Sequence, residues 1–350
     1  MKAAYIEKTG GPEVIKVDNI SEAAPGQGEV RIRVHAVSVN PIDTYIRSGA
    51  IESGIQGRYI LGCDASGIIE SVGDGVQDYK VGDRVWCTNQ GLQGRQGTFA
   101  ELICIDEAWC YPLPDQVTFQ AAAACALVGM TAHLGLFREA RLQAGETILC
   151  IGGTGGVGSM VVQMAKASGA RVLATAGSEE KHRRLLELGA DVAINYKQSS
   201  IENSVLESAP KGVNVFWETR REPNFDQAVE LLKPRGRMVL MAGRDARPVF
   251  PVGPFYVKEC SLHGFVMFKA TALEMKNAAE EINRWMASGK LQPNISLELP
   301  ISDVAEAHRQ QEAATLRSEG SLAGKIVLTF TQENQASQVA ASPGNEGYES

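Results

Sequence analysis

Residues 151–158 read Ile-Gly-Gly-Thr-Gly-Gly-Val-Gly, and Gly153, Gly155 and Gly158 complete a G-x-G-x-x-G motif. The apolar run "TILCIG" precedes it and the helical pattern "GGVGSMVVQMAKASG", closed by Gly169, continues from it. A strand before and a helix after is the context that makes this motif a dinucleotide site. Gly153 is expected to permit the tight turn, Gly155 to let the backbone approach a pyrophosphate, and Gly158 to let helix and strand pack closely. Gly156 and Val157 complete the turn, where the helix N-terminus offers N–H groups and its positive dipole end to phosphates. The following strand, "RVLATA", ends in Ala176-Gly177-Ser178. A carboxylate here would bond the ribose 2′-hydroxyl of NAD and repel a 2′-phosphate, and none is present. Ser178 instead offers a hydroxyl and an N–H at a helix start. One turn on, Lys181 offers an ammonium. Glu179 and Glu180 suit the first helical turn and are assigned to solvent. The pattern predicts NADPH in preference to NADH.

The remaining reactive residue types point away from metal and thiol chemistry. Seven cysteines (63, 87, 104, 110, 125, 150 and 260) are scattered and form no C-x-x-C. This argues against a zinc knuckle or a redox pair and for free thiols in a reducing compartment. The expected location is the cytoplasm. The segment "MKAAYIEKTGGPEV" lacks the apolar centre of a signal peptide, and no run of about 18 apolar residues is apparent, so no membrane span is expected. A net charge of −7 without a basic patch argues against nucleic acid as a partner.

These residues must be positioned by two kinds of element. At 350 residues the chain is long for one core and suits two domains. The first part alternates apolar and polar residues in "KAAYIEK", "EVRIRVHAVSV", "ASGIIESVG" and "DRVWC", with Gly, Pro and Asp between them. Such short strands predict a small β-barrel or sandwich. "DQVTFQAAAACALVGMTAHLGLF" then turns helical, with Thr118 and Thr131 as candidate N-caps. From residue 146, strands alternate with helices, the pattern of a parallel sheet covered on both faces. "TALEMKNAAEEINRWMASG" is a long amphipathic helix, and the strand–helix–strand after it is expected to rejoin the N-terminal barrel. The last 20 residues are polar and poor in bulky apolar side chains, and are expected to form a disordered tail.

"VNPIDTYIRSG", "VGDRVW", "GTFAEL", "GMTAHLGL", "GGTGGVG" and "LAGKIVLTF" occur in this order. Together they resemble the medium-chain dehydrogenase/reductase superfamily, and within it the zinc-independent quinone oxidoreductase (ζ-crystallin-like) group. The resemblance covers roughly residues 1 to 330. It implies an α/β chain with a GroES-like β-barrel catalytic domain (1–119 and 291–330) and a Rossmann doubly wound parallel-sheet domain (120–290). It also implies a homodimer through Rossmann edge strands, here "VFPVGPFYVKECSLHGFVM". At the positions that hold catalytic zinc in the alcohol dehydrogenase branch stand Asn40-Pro-Ile-Asp43, Gly62-Cys63-Asp64 and Leu127. Cys63 alone cannot make the three protein ligands a catalytic zinc needs, so no metal is expected and Cys63 is read as a packing residue.

Without a Lewis acid the implied chemistry suits an electron-poor acceptor, a quinone or an enone, that takes hydride at carbon and spreads charge to oxygen. The resemblance places Asn40 and Asp43 beside the nicotinamide. Asn40 is a cofactor or substrate contact, and Asp43 is equally a turn cap. Tyr45 is a candidate donor to the forming oxyanion, or a packing residue of the cleft wall. The match also carries cofactor contacts onto Asn40, Thr131, Ser178, Lys181, Tyr196, Ala242, Gly243 and Lys325. Tyr196 is implied at the adenosine end, and Lys325 serves alternatively in sheet packing or solubility. Two departures stand out. No aromatic lies near Ile51, and "WETRREPNF" replaces the family's acidic-glycine turn, so Glu218, Arg220 and Arg221 form either a surface ion pair or an altered cofactor cleft. The sequence thus points to an NADPH:quinone reductase, with an enone or 2-alkenal reductase as the alternative chemistry. A non-enzymatic NADPH-binding structural or RNA-binding protein is the alternative class.

Overall fold

The computed structural model describes residues 1–51, 57–316, 322 and 324–330. The segment 331–350, expected to be a disordered tail, lies outside the described residues. In chain order the first half contains β1 (Lys2–Ile6), β2 (Lys16–Asn19), β3 (Glu29–Val39), α1 (Pro41–Ser48), β4 (Tyr59–Ile60), β5 (Asp64–Val72), β6 (Arg84–Cys87), β7 (Leu102–Asp106) and β8 (Cys110–Pro112). Then come α2 (Phe119–His133), β9 (Thr147–Cys150), α3 (Gly156–Ala167), β10 (Arg171–Ala176), α4 (Glu179–Glu187), β11 (Val192–Asn195), α5 (Ile201–Ser208), β12 (Val213–Glu218), α6 (Phe225–Leu231), β13 (Leu232–Leu240), α7 (Val252–Val257) and β14 (Ser261–Gly264). The chain closes with α8 (Ala272–Ala287), β15 (Ile295–Pro300), α9 (Val304–Leu316) and β16 (Lys325–Thr329).

The strands sort into the two expected architectures. β9 to β14 form a parallel sheet in the order β11-β10-β9-β12-β13-β14. The order reverses beside β9, the topological switch point where such sheets bind ligands at their strand ends. The β-rich half carries a seven-stranded sheet, β15-β16-β3-β5-β6-β8 with β7 also on β3, and a three-stranded sheet β2-β1-β4. As expected, the C-terminal strands rejoin this half, because β16 pairs antiparallel with β3 in the register Ile326↔Val39.

Helix α2 joins the halves. It has no polar face: Ala122 to His133 are all buried, as in a helix packed on every side. Thr118 caps it by accepting from the Ala121 N–H at 3.2 Å. Thr131 is no cap, contrary to the sequence expectation. It lies inside the helix, which continues through a wider last turn where the Ala140 N–H bonds Gly135 O at 3.0 Å. Also against expectation, Phe119–Glu139 is long and apolar enough to cross a membrane by length and composition. Most of it is buried inside this protein, as the core helix between the β-rich sheet and α3. One continuous core accordingly contains Cys63, Trp86 and Tyr111 from the β-rich half with Val161, Val172 and Trp217 from the parallel-sheet half. In the segment "VFPVGPFYVKECSLHGFVM", expected to supply edge strands, only Ser261–Gly264 is a strand; Val252–Val257 form the helix α7, and Met267–Lys269 beyond it form a single helical turn.

Candidate active site

The glycine turn follows β9 at the switch point. Gly152 adopts the left-handed backbone (φ +70°), and the Gly155 N–H bonds the Gly152 carbonyl at 3.0 Å, so Gly153 sits at the centre of the tight turn. Gly153 is small for packing reasons, since a Cβ there would stand 2.7 Å from Leu185 Cδ2 and 2.9 Å from Ala174 Cβ. A side chain at Gly158 would collide with the Gly152 carbonyl, which gives the close packing expected of it. Gly155 is the N-cap of α3. A Cβ there would meet only Gly152 O, at 3.4 Å, so the space over the turn is open. The first N–H groups of α3 have no intrahelical acceptor, and Gly155, Gly156 and Val157 line a cleft.

At the end of β10, the Ser178 hydroxyl caps α4 by accepting the Lys181 N–H at 3.2 Å. The Lys181 side chain is half-buried, and its ammonium makes no ion pair among the described residues. Glu179 lies 3.8 Å from His182, and both Glu179 and Glu180 are exposed. Tyr196 extends from the end of β11 with its hydroxyl against Gly177, where any side chain would displace it. Gly177, Ser178, Lys181 and Tyr196 therefore share one corner, with no carboxylate at the strand end.

The cleft encloses about 410 Å³ between the halves. Asn40 and Tyr45 come from the start of α1, Leu127, Val128 and Thr131 from α2, Met241 and Phe265–Phe268 from beyond β13 and β14, Gln311 and Thr315 from α9, and Lys325 from β16. Beneath it lies a buried polar cluster. Lys325 Nζ donates to Val39 O at 2.8 Å and to Asn40 Oδ1. Asn40 Nδ2 donates to Asp64 Oδ2 at 2.8 Å and to Ser38 O at 3.3 Å. Asp64 also accepts from the Thr88 hydroxyl (2.7 Å) and the Ser38 hydroxyl (2.8 Å). Burial raises the Asp64 carboxyl above its usual range, and the Lys325 cation opposes that. Burial likewise lowers Lys325, while Asp64 and Asp43 hold it up.

Asp43 does not line the cleft. One carboxylate oxygen caps α1 by accepting the Asn40 N–H at 2.7 Å, and the other accepts the Cys63 thiol at 3.2 Å. Burial pushes it up to about 7. Tyr45 stands on the cleft wall, half-buried, where burial raises its hydroxyl and the Arg221 cation opposes that. Ala242 and Gly243 lie beside the cleft rather than in its lining, which takes Met241 from that loop. Gly243 (φ +84°) packs beneath the Arg221 carbonyl. Glu218, for which a surface ion pair and an altered cofactor cleft were the two alternatives, is in an ion pair but not a surface one: it is fully buried and clasped by Arg220 through contacts of 2.6–3.0 Å. Arg221 and Arg244 each cross between the halves, to the carbonyls of Leu316 and Ala50.

Residues 156–284 match the zinc-binding dehydrogenase family, and residues 26–115 match the alcohol dehydrogenase GroES-like domain. The quinone oxidoreductase of Rattus norvegicus is 36% identical over 94% of this chain and 97% of its own length. That of Salmonella typhimurium is 31% identical over 87% and 94%. The chain belongs to the quinone oxidoreductase group of the medium-chain dehydrogenase/reductase superfamily. Solved structures of the group superpose closely. An Escherichia coli quinone oxidoreductase complexed with NADPH gives a TM-score of 0.80 at 28% identity, covering 94% of this chain and 100% of that one. A Pseudomonas syringae quinone oxidoreductase gives 0.81 at 31% identity, covering 94% and 99%.

The word zinc in one family description calls for a test of the donor set. The soft donor Cys63 is held as a thiol by burial, and its S–H donates a hydrogen bond to Asp43. The Lys325 ammonium occupies Asn40 Oδ1, and Leu127 is apolar. Three ligands around an open position do not exist in this arrangement, so the residues present do not fit a metal. Asp64 went unrecognised as the centre of the cluster, although it was visible in "GCD". The cleft residues Met241, Phe265 and Gln311 carried no local signal.

Proposed function

We propose that this protein is an NADPH-dependent, metal-independent quinone reductase. The observation that carries this reading is an apolar cleft lying directly over the glycine turn, with hydroxyl and ammonium donors in its lining and no metal-binding donor set among the described residues. The residues fit the cofactor along its length. The α3 N-terminus at Gly155, Gly156, Val157 and Gly158 receives the pyrophosphate. Ser178 and Lys181 receive the 2′-phosphate, and Tyr196 flanks the adenosine. Asn40, Thr131, Ala242, Gly243 and Lys325 surround the nicotinamide end. When bound, the reduced nicotinamide supplies a hydride. Met241, Leu127 and Phe265 exclude water and pack an apolar ring, while Tyr45 offers a hydroxyl to the developing negative charge. A quinone suits such a site because it accepts hydride without Lewis-acid activation, and the names of the relatives agree.

We further propose a homodimer in the cytoplasm. β14 is the outer strand of its sheet, and the adjoining loop and α7 expose Val249, Val252, Tyr256 and Val257, each more than 60% accessible. Exposed apolar side chains beside an edge strand are the kind of surface that a second copy covers.

An NADPH-oxidation screen with 1,4-benzoquinone, 9,10-phenanthrenequinone and 2-alkenals tests the activity. Quinones are expected to turn over fastest, with NADPH preferred to NADH. Faster turnover of alkenals would replace the reading with the enone reductase, and NADPH binding without oxidation of any acceptor would favour the non-enzymatic class.

A further inference from the structure

We infer that Lys325 is the hydrogen-bond and proton donor to the acceptor oxygen, held at the base of the cleft by Asn40 and the Asp64 carboxylate behind it. Lys325 is only 4% exposed, yet it lines the cleft. Its Cδ lies 3.7 Å from where a Gly156 Cβ would stand, so the stem runs beside the glycine turn. An ammonium carries three protons. Two are engaged, by Val39 O and Asn40 Oδ1, which leaves one donor at a position bordering the cavity.

The neighbouring candidates are already occupied. Both hydrogens of the Asn40 amide are taken by Asp64 and Ser38, so Asn40 orients Lys325 rather than donating to an acceptor. Asp43 has one oxygen on the Asn40 N–H and the other on the Cys63 thiol, outside the cleft lining. Tyr45 stands further along α1, toward Arg221 and Asp245. The groups facing the Lys325 charge are Asp64 (β5), Asp43 (α1), Cys63 and Cys125 (α2). Burial lowers the ammonium, and the two carboxyl groups oppose that.

The step balances. A quinone that takes a hydride from a reduced nicotinamide dinucleotide at ring carbon becomes an enolate, which Lys325 protonates at oxygen; the ring C–H proton then passes through solvent to the second oxygen and gives the hydroquinone. One N–H bond of Lys325 breaks and one O–H bond forms. The neutral amine then regains a proton from solvent, and the dinucleotide leaves oxidised.

The inference rests on the quinone-reductase reading, and the experiment separates the two. NADPH affinity is measured by fluorescence titration. Stopped-flow oxidation of bound NADPH by 1,4-benzoquinone is followed from neutral pH past the ordinary lysine pKa of about 10.4. Wild type should lose rate on the alkaline side, as Lys325 deprotonates. Lys325→Ala and Lys325→Arg, measured at saturating NADPH so that any change in cofactor affinity is separated from the rate, should lose on the order of 100-fold in rate and lack the alkaline limb. Ethylamine should restore part of the rate to Lys325→Ala but not to Lys325→Arg. A loss confined to NADPH affinity, or an unchanged rate in either variant, overturns the assignment. If the variants do not fold, a wild-type rate that stays flat through the lysine range overturns it alone. A wild type that binds NADPH and reduces no quinone overturns the functional reading and this inference together.

Discussion

Asp43 has both carboxylate oxygens engaged inside the protein, and its energetics follow from that enclosure. Its folded value of about 7 lies above the ordinary 3.8, so the folded state keeps a proton that the unfolded chain releases. The resulting stabilisation is complete below about pH 4 and is lost as pH rises through 7. Asp43→Asn keeps an acceptor for the Asn40 N–H and should flatten this part of the stability profile. Urea unfolding at the two ends of the window measures it, and an unchanged slope would refute it. Lys181 is the matching residue on the cofactor side. A charge-assisted bond to a phosphate is worth about 1.5–3 kcal/mol. Lys181→Ala should therefore weaken NADPH binding roughly 10- to 100-fold and leave NADH binding unaltered, which fluorescence titration of both reads directly.

The glycine turn separates two kinds of requirement within one element. Gly158 is needed by the fold, because a Cβ would enter the Gly152 carbonyl, whereas Gly155 faces open space. Gly158→Ala should destabilise the protein by roughly 1–3 kcal/mol. Gly155→Ala should melt near wild type yet bind NADPH at least about tenfold more weakly, because its methyl group stands where the pyrophosphate approaches. Equal melting temperatures for the two variants would contradict this division. The same turn shows where local reading stops. The motif named the glycines, but the left-handed residue is Gly152, and only backbone angles distinguish it from Gly153. Thr131 likewise matched a cap by residue type, while the packing of α2 between the β-rich sheet and α3 carries the helix past it.

At the scale of the molecule, α2 welds the halves into one core, and Arg221 and Arg244 tie the rim of the cleft to the ends of α9 and α1. The loop "WETRREPNF", which departs from the family pattern, and the loop carrying Arg244 thus lie at the rim of the cleft, and they are the place to look for acceptor specificity. The exposed apolar residues of α7 bear on assembly. Val257, 71% exposed, should be covered in the proposed dimer, so Val257→Asp should shift the protein to monomer in sedimentation velocity while leaving its melting temperature close to wild type. A wild-type monomer at micromolar concentration would remove the proposal.

Sequence alone determined what is local. The alternation of strand and helix, the glycine turn and the absence of an acid after β10 are written in neighbouring residues, because periodicity and backbone sterics act over a few positions. The polar cluster under the cleft is not local. Asn40 follows β3, Asp64 opens β5 and Lys325 opens β16, far apart in the chain. They meet because Ile326 pairs with Val39, which sets Lys325 beside Asn40, and because Ser38 pairs with Asp64 on the other edge of the same strand. Strand register, fixed by which faces the core buries, brought Lys325, which the resemblance marked as a cofactor contact, into the floor of the site beside Asn40.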